Sequence, residues 1–262
     1  MMAAKSESVV LLHGWPGTSS DFHLVRKILP VNIQIYVPDL MGYGEEFNGL
    51  QTPEQATANS HADRIIDLII SNDIERPIIG GYDIGSRIAQ AIAIKAPEII
   101  GGLVITPGYP GIGDRVAAAE LQNKFWYQHF HRLDVAGDTL DGNRLAIAAY
   151  IKHFIMNWSF NEDIVVGERF EQLIDYYARP DAFRASIMWY RANRGYSGTG
   201  QIGVPTTMLW PEQDPLFSIE WADRLPEFFT NAILKPVPNC GHFVPLESPH
   251  VFAKAILEQL KH

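Results

Sequence analysis

The sequence predicts an α/β chain: a mostly parallel, doubly wound sheet with an all-helical segment inserted into it. Three observations carry that prediction. Short apolar runs alternate with amphipathic stretches, at spacings that suit strand–helix–strand connections. The strand-like runs stop near Pro107 and resume near Val204, and the interval is helical in pattern and rich in aromatics. Turns bearing glycine, proline, aspartate or histidine follow several strands, on the edge where such sheets bind ligands.

Val9 to Leu12 is a continuous apolar run, as expected of a parallel strand buried on both faces. It leads into His13-Gly14-Trp15-Pro16-Gly17. Thr18, Ser19 and Ser20 then offer N-caps for a helix through Leu29. Ile33 to Val37 is the second strand, ended by Pro38-Asp39, with a glycine turn at Met41 to Gly44 and a solvated acidic pair at Glu45-Glu46. Ile65, Ile66, Leu68 and Ile69 recur at helical spacing within a helix expected over Ser60 to Ser71. Pro77 to Tyr82 is a strand, and Ile84, Ile88, Ala91, Ile92 and Lys95 place a helix directly after it, stopped by Pro97. Ile99 to Thr106 is the next strand, weakened by Gly101-Gly102.

Residues 107–200 read as a helical cap over the strand ends. Gly108, Gly111 and Gly113 mark the way in, and Gly195 to Gly200 the way out. Residues 1–106 and 201–262 form the core. There Val204 to Trp210 and Ala232 to Val237 are the last strands, and Pro249 to Lys261 is the closing helix. Tyr150, Phe154 and Trp158 fall at i, i+4 and i+8 and read as core of the inserted segment.

The totals narrow the function. A chain of 262 residues suits one α/β domain with an insertion. A formal charge of -9 argues against nucleic acid or an anionic membrane as partner. The lone Cys240 permits no intrachain disulfide and reads as a small buried residue. The short, polar N-terminal stretch lacks a signal-like apolar run, and no stretch is long enough to span a bilayer, so the expected location is the cytoplasm. Asn157-Trp158-Ser159 has the form of a glycosylation acceptor, which carries no weight without a secretory signal. No metal or organic cofactor is implied: there is no His/Cys cluster at ligand spacing and no Gly-x-Gly-x-x-Gly after a strand.

The chemistry centres on Gly81-Tyr82-Asp83-Ile84-Gly85. Its glycines match the Gly-x-Ser-x-Gly elbow, in which the central residue sits on a strained turn between strand and helix. Here the central residue is aspartate, which also reads as a plain helix N-cap. A carboxylate attacks an ester carbonyl poorly but displaces a leaving group from an electrophilic sp³ carbon. Asp83, Asp214 and His242 follow in the order nucleophile, acid, histidine, each after a strand, which is the order of α/β-hydrolases. Glu212 competes with Asp214 as the acid that orients His242, and Asp214, deeper in the loop, is preferred. The backbone N–H groups of Trp15 and Ile84 are the expected oxyanion donors, Pro16 having none. An epoxide, unlike a halide, needs an acid for its departing oxygen. Tyr127 and Tyr190 are the tyrosines that stand out, although spacing alone does not lift either above core.

These motifs resemble the α/β-hydrolase-fold epoxide hydrolases of the soluble bacterial type. The resemblance covers nearly the whole chain. It rests on His13 to Gly17, Gly81-Tyr82-Asp83, Cys240-Gly241-His242-Phe243, Phe125 to His131 and Trp189 to Asn193. It implies a small-molecule epoxide as substrate. It also implies that Tyr127 and Tyr190 bind and protonate the epoxide oxygen. Two features depart from the family pattern: Ile84 stands where an aromatic is common, and Trp210-Pro211 where Trp-Gly is common. The alternatives are a haloalkane or haloacetate dehalogenase of the same fold and, in another class, a catalytically silent ligand-binding protein on the scaffold.

Overall fold

The computed structural model describes residues 7–161, 167–196 and 200–261. Met1 to Ser6 of the polar N-terminal stretch, and Ser197, Gly198 and Thr199 of the glycine-rich exit from the insertion, lie outside the described residues.

Six strands form one sheet in the order β2-β1-β3-β4-β5-β6, and every neighbouring pair is parallel. They are β1 (Ser8–Leu12), β2 (Gln34–Tyr36), β3 (Ile78–Gly81), β4 (Gly102–Ile105), β5 (Thr206–Pro211) and β6 (Ala232–Val237). The four inner strands, β1, β3, β4 and β5, are buried along their whole length, while β2 and β6 at the edges are partly exposed. Continuous apolar runs mark the inner positions because helices cover both faces there. The sheet and helices are those of an α/β-hydrolase fold.

The first connecting helix, α1 (His23–Ile28), is shorter than the sequence predicts. Thr18 closes a capping box on Asp21, and the first turn, Ser19–Phe22, is 3-10. α2 (Ala58–Ser71) starts from a Thr57 cap, and α3 (Ile84–Lys95) follows β3 after only Tyr82 and Asp83. β4 begins only at Gly102, because Pro97–Ile99 forms a 3-10 turn. From β1 the chain steps one way to β2 and then back past β1 to β3. Right-handed crossovers therefore place α1 on one face, and α2 and α3 on the other. The closing helix α11 (Pro249–Gln259) packs beside α1.

Between β4 and β5 the described residues form five α-helices and no strand: α4 (Gln122–Phe130), α5 (Asp134–Leu140), α6 (Arg144–Trp158), α7 (Glu168–Tyr177) and α8 (Ala182–Ala192). Two single-turn helices, α9 (Leu225–Phe228) and α10 (Val244–Glu247), complete the chain. The inserted helices are tied to the core by buried polar contacts. Arg169 on α7 pairs with the buried Asp21 carboxylate at 2.9 Å, and that carboxylate also accepts the Tyr82 hydroxyl at 2.6 Å. The Gly17 N–H donates to the Tyr177 hydroxyl, and the Tyr43 hydroxyl donates to the Ser186 carbonyl. No described helix is long and apolar enough to cross a membrane.

Candidate active site

The strand order reverses at β1, which lies between β2 and β3, and the loops leaving β1 and β3 meet above it. Asp83 lies two residues past the end of β3, at the N-cap position of α3 but with no capping hydrogen bond from its side chain, and has φ 52° and ψ -122°, a left-handed conformation that L-residues avoid. The two loops touch closely. A Cβ on Gly14 would lie 2.6 Å from that of Asp83, and one on Gly85 would collide with the Leu12 carbonyl. Only glycine lets the loops approach this far.

That approach brings the Trp15 N–H to the Asp83 carboxylate, Oδ1 accepting at 2.7 Å. His13 sets the loop from below. Its Nδ1 donates to the Gly14 carbonyl at 2.9 Å, and its Nε2 accepts the Leu40 N–H. The Ile84 N–H, at the first position of α3, has no acceptor among the described residues and stands beside Asp83 as an unspent donor.

The other carboxylate oxygen, Oδ2, faces His242 Nε2 at 3.3 Å. His242 Nδ1 lies 2.9 Å from Asp214 Oδ2, and the remaining Asp214 oxygen accepts the Leu216 N–H. Of the two acids considered for this place, Asp214 is the one brought to the imidazole, whereas Glu212 is exposed. Burial disfavours the imidazolium, yet Asp214 and Asp83 together outweigh it and push the His242 pKa up to about 10. Cys240 is buried beside this loop, and burial pushes its thiol up to about 12.

The inserted helices supply the rest of the site. Tyr127 on α4 and Tyr190 on α8 are both buried, with ring centroids 5.6 Å apart, and both line the cleft above Asp83. Burial first, then neighbouring phenols and the Asp83 charge, hold both hydroxyls far above the usual tyrosine pKa, so they are neutral donors. The Trp15 indole lies among their rings, parallel to Tyr127 at 6.1 Å and edge-on to Tyr190 at 5.7 Å.

Three contributors were not read from the sequence. Trp158 is buried, as a core residue should be, but its ring also meets His242 at 5.3 Å and its carbonyl accepts the His242 backbone N–H at 2.7 Å. Tyr196 and Arg87 also line the cleft, and the Arg87 guanidinium lies over the rings of Trp189 and Tyr196 at 5.4 and 5.2 Å. Arg87 had a sequence signal, since it stands one helical turn beyond Asp83. Among the described residues no group of three or more His, Cys, Asp or Glu is placed to hold a metal ion.

A family model described as "Alpha/beta hydrolase family" matches residues 9–255. The chain belongs to the alpha/beta hydrolase family. Within the family its relatives are diverse and distant. It is 23% identical to a soluble epoxide hydrolase of Corynebacterium sp. (strain C12), over 94% of this chain and 87% of that one. It is also 23% identical to a 2-hydroxy-6-oxononadienedioate/2-hydroxy-6-oxononatrienedioate hydrolase of Paraburkholderia xenovorans (strain LB400), over 98% and 88%. Among solved structures, the epoxide hydrolase CorEH, solved without ligand, superposes with a TM-score of 0.85 at 20% identity, covering 99% of this chain and 93% of that one. This hydrolase thus shares its fold with enzymes of different substrates, and its own chemistry has to be argued from the site.

Proposed function

We propose that this hydrolase opens an epoxide to a vicinal diol through an alkyl ester on Asp83. One observation carries the reading. A carboxylate at the strained turn has one oxygen held by a backbone N–H and the other facing a histidine, while two neutral phenols line the same cleft.

In the first step Asp83 Oδ2 attacks an epoxide carbon. A C–O bond to Asp83 forms, the ring C–O bond breaks, and the departing oxygen takes a proton from Tyr127 or Tyr190. In the second step His242 removes a proton from water, which adds to the carbonyl carbon of the ester. The oxyanion forms on Asp83 Oδ1, which the Trp15 N–H already holds and the unspent Ile84 N–H adjoins. Each such donor is worth about two to three powers of ten in rate. Collapse breaks the bond from the ester carbonyl carbon to the substrate oxygen, which leaves with the proton of the added water oxygen and frees the Asp83 carboxylate with one oxygen from water. His242 returns its proton to the tyrosinate left by the first step, and the diol leaves.

The charge balance supports this order of events. In the resting site His242 faces two carboxylates, which favour its proton. Esterification cancels the Asp83 charge and so lowers the imidazole pKa at the step that needs a base. On this reading residues 107–200 act as a cap, excluding water from the first step and presenting the two phenols.

A His242→Gln variant tests the proposal, because it alkylates but does not hydrolyse. Incubated with a small aryl epoxide, it gains the mass of the epoxide on the peptide containing Asp83, and the wild type makes diol. An adduct from a bromoalkane instead, with bromide release by the wild type, would replace the reading with dehalogenation.

A further inference from the structure

Arg87 has no place in the mechanism above, yet it shares the cleft with Asp83. It stands four residues along α3 from Asp83, on the same side of the helix and one turn away. It makes no ion pair or hydrogen bond among the described residues; its contacts are the faces of Trp189 and Tyr196. Burial pushes its pKa below the usual guanidinium value, with Asp83 the only carboxylate that pulls it back up. A guanidinium offers five donors in a planar fork shaped for a carboxylate. Here that fork is unspent and lines the substrate cleft.

The surroundings point the same way. Arg87 also lines a wider groove next to the cleft, and Gly108, Asn193 and Tyr196 line both. The described walls of that groove carry Arg87, Lys95 and Arg194 and no Asp or Glu. Lys95 is engaged by Asp63, but Arg87 and Arg194 have no acidic partner among the described residues. In a chain of net charge -9, an approach lined by cations alone admits an anion that the rest of the surface repels.

We infer that the substrate carries a carboxylate close to its electrophilic carbon, and that Arg87 is the specificity-determining residue that holds it. This rests on the reading that Asp83 is alkylated. Because Arg87 and Asp83 line one cleft, the class is confined to small epoxy acids whose carboxylate lies close to the ring. The carboxylate meets Arg87, the epoxide oxygen meets the tyrosines, and the carbon between them faces Asp83 Oδ2.

The test compares 3-phenylglycidate with its neutral carboxamide. The wild type favours the acid by about tenfold or more in kcat/KM, mostly through KM, as a charge-assisted contact requires. Arg87→Met, which keeps the aliphatic stem between the rings, erases that ratio, and Arg87→Lys restores part of it. The preference also shrinks as ionic strength rises. Calorimetry with 3-phenylpropionate on the Asp83→Asn protein, with and without Arg87→Met, gives a readout independent of turnover. Equal use of acid and amide, with Arg87→Met changing both alike, overturns the inference and leaves epoxide opening in place. Arg87-dependent binding of the acid, with neither epoxide opened, overturns the epoxide reading and keeps the inference. No binding and no turnover overturns both.

Discussion

The two sides of the cleft around Asp83 are built on different physics. The core side is charged and hydrogen-bonded: Trp15 N–H, Asp83, His242 and Asp214 form a chain of contacts between 2.7 and 3.3 Å on loops that leave parallel strands. The insertion side is made of rings. Tyr127 meets Trp158 at 5.0 Å and Tyr190 at 5.6 Å, and Tyr196 meets Phe217 at 5.7 Å. Its hydroxyls are barely used. Tyr127 accepts only a long bond of 3.4 Å from Gln128, and the Tyr190 hydroxyl makes no hydrogen bond among the described residues. Charge stands where buried partners and backbone amides hold it. Neutral donors stand where the proposed reaction would create charge, and that division suits a reaction that starts with a fixed anion and creates a second one opposite it.

Substitutions on each side probe the division. The largest effect is expected on the core side. Asp214→Asn leaves His242 its shape but removes the partner that orients it and favours its charge. Turnover should fall by about two to four powers of ten, and the His242 pKa, followed by imidazole proton NMR, should drop from near 10 toward the ordinary range. An unchanged pKa would mean that the Asp214 contact does not govern the imidazole.

The insertion side should respond less, and only in the first half of the reaction. Tyr127→Phe and Tyr190→Phe should each slow alkylation of Asp83 by about two powers of ten. The double variant should lose less than the product of the two, since in the proposed mechanism both serve one oxygen. Single-turnover mixing with an epoxide separates alkylation from ester hydrolysis. A slowed hydrolysis step with normal alkylation would move the tyrosines out of the role given to them.

The smallest effect is on stability. His242 binds its proton more tightly folded, at about 10, than unfolded, at about 6.5. Its stabilisation is therefore complete below about pH 6.5 and is lost as pH rises through about 10. Urea midpoints should decline across that window, and His242→Gln should flatten the decline. A decline equally steep in the variant would assign it to other groups.

The two sides were also unequally legible in the sequence. All six strands were read, because parallel strands covered on both faces must be continuously apolar. The core-side residues could be located because each follows a strand, so the fold itself delivers Trp15, Asp83, Asp214 and His242 to one edge. Helical spacing on the insertion side says only which residues are buried. Trp158 was read as core and is buried, but its hold on His242 depends on where the end of α6 lands, and no local pattern encodes that. Tyr196 looked like part of a glycine linker and lies against Arg87 and Phe217. Arg87 was one turn from the singled-out aspartate, a spacing the sequence did contain.

The backbone at Asp83 has a consequence for how such a chain changes over generations. A non-glycine residue at φ 52° costs of order 1–3 kcal/mol, held by the strand, the helix and the two glycine contacts around it. Glycine at that position would relax the turn while discarding the carboxylate. Under selection for folding alone, drift would lead to a sturdier chain with the same silhouette and no carboxylate at the turn, so on the proposed function the aspartate persists only while its product is needed.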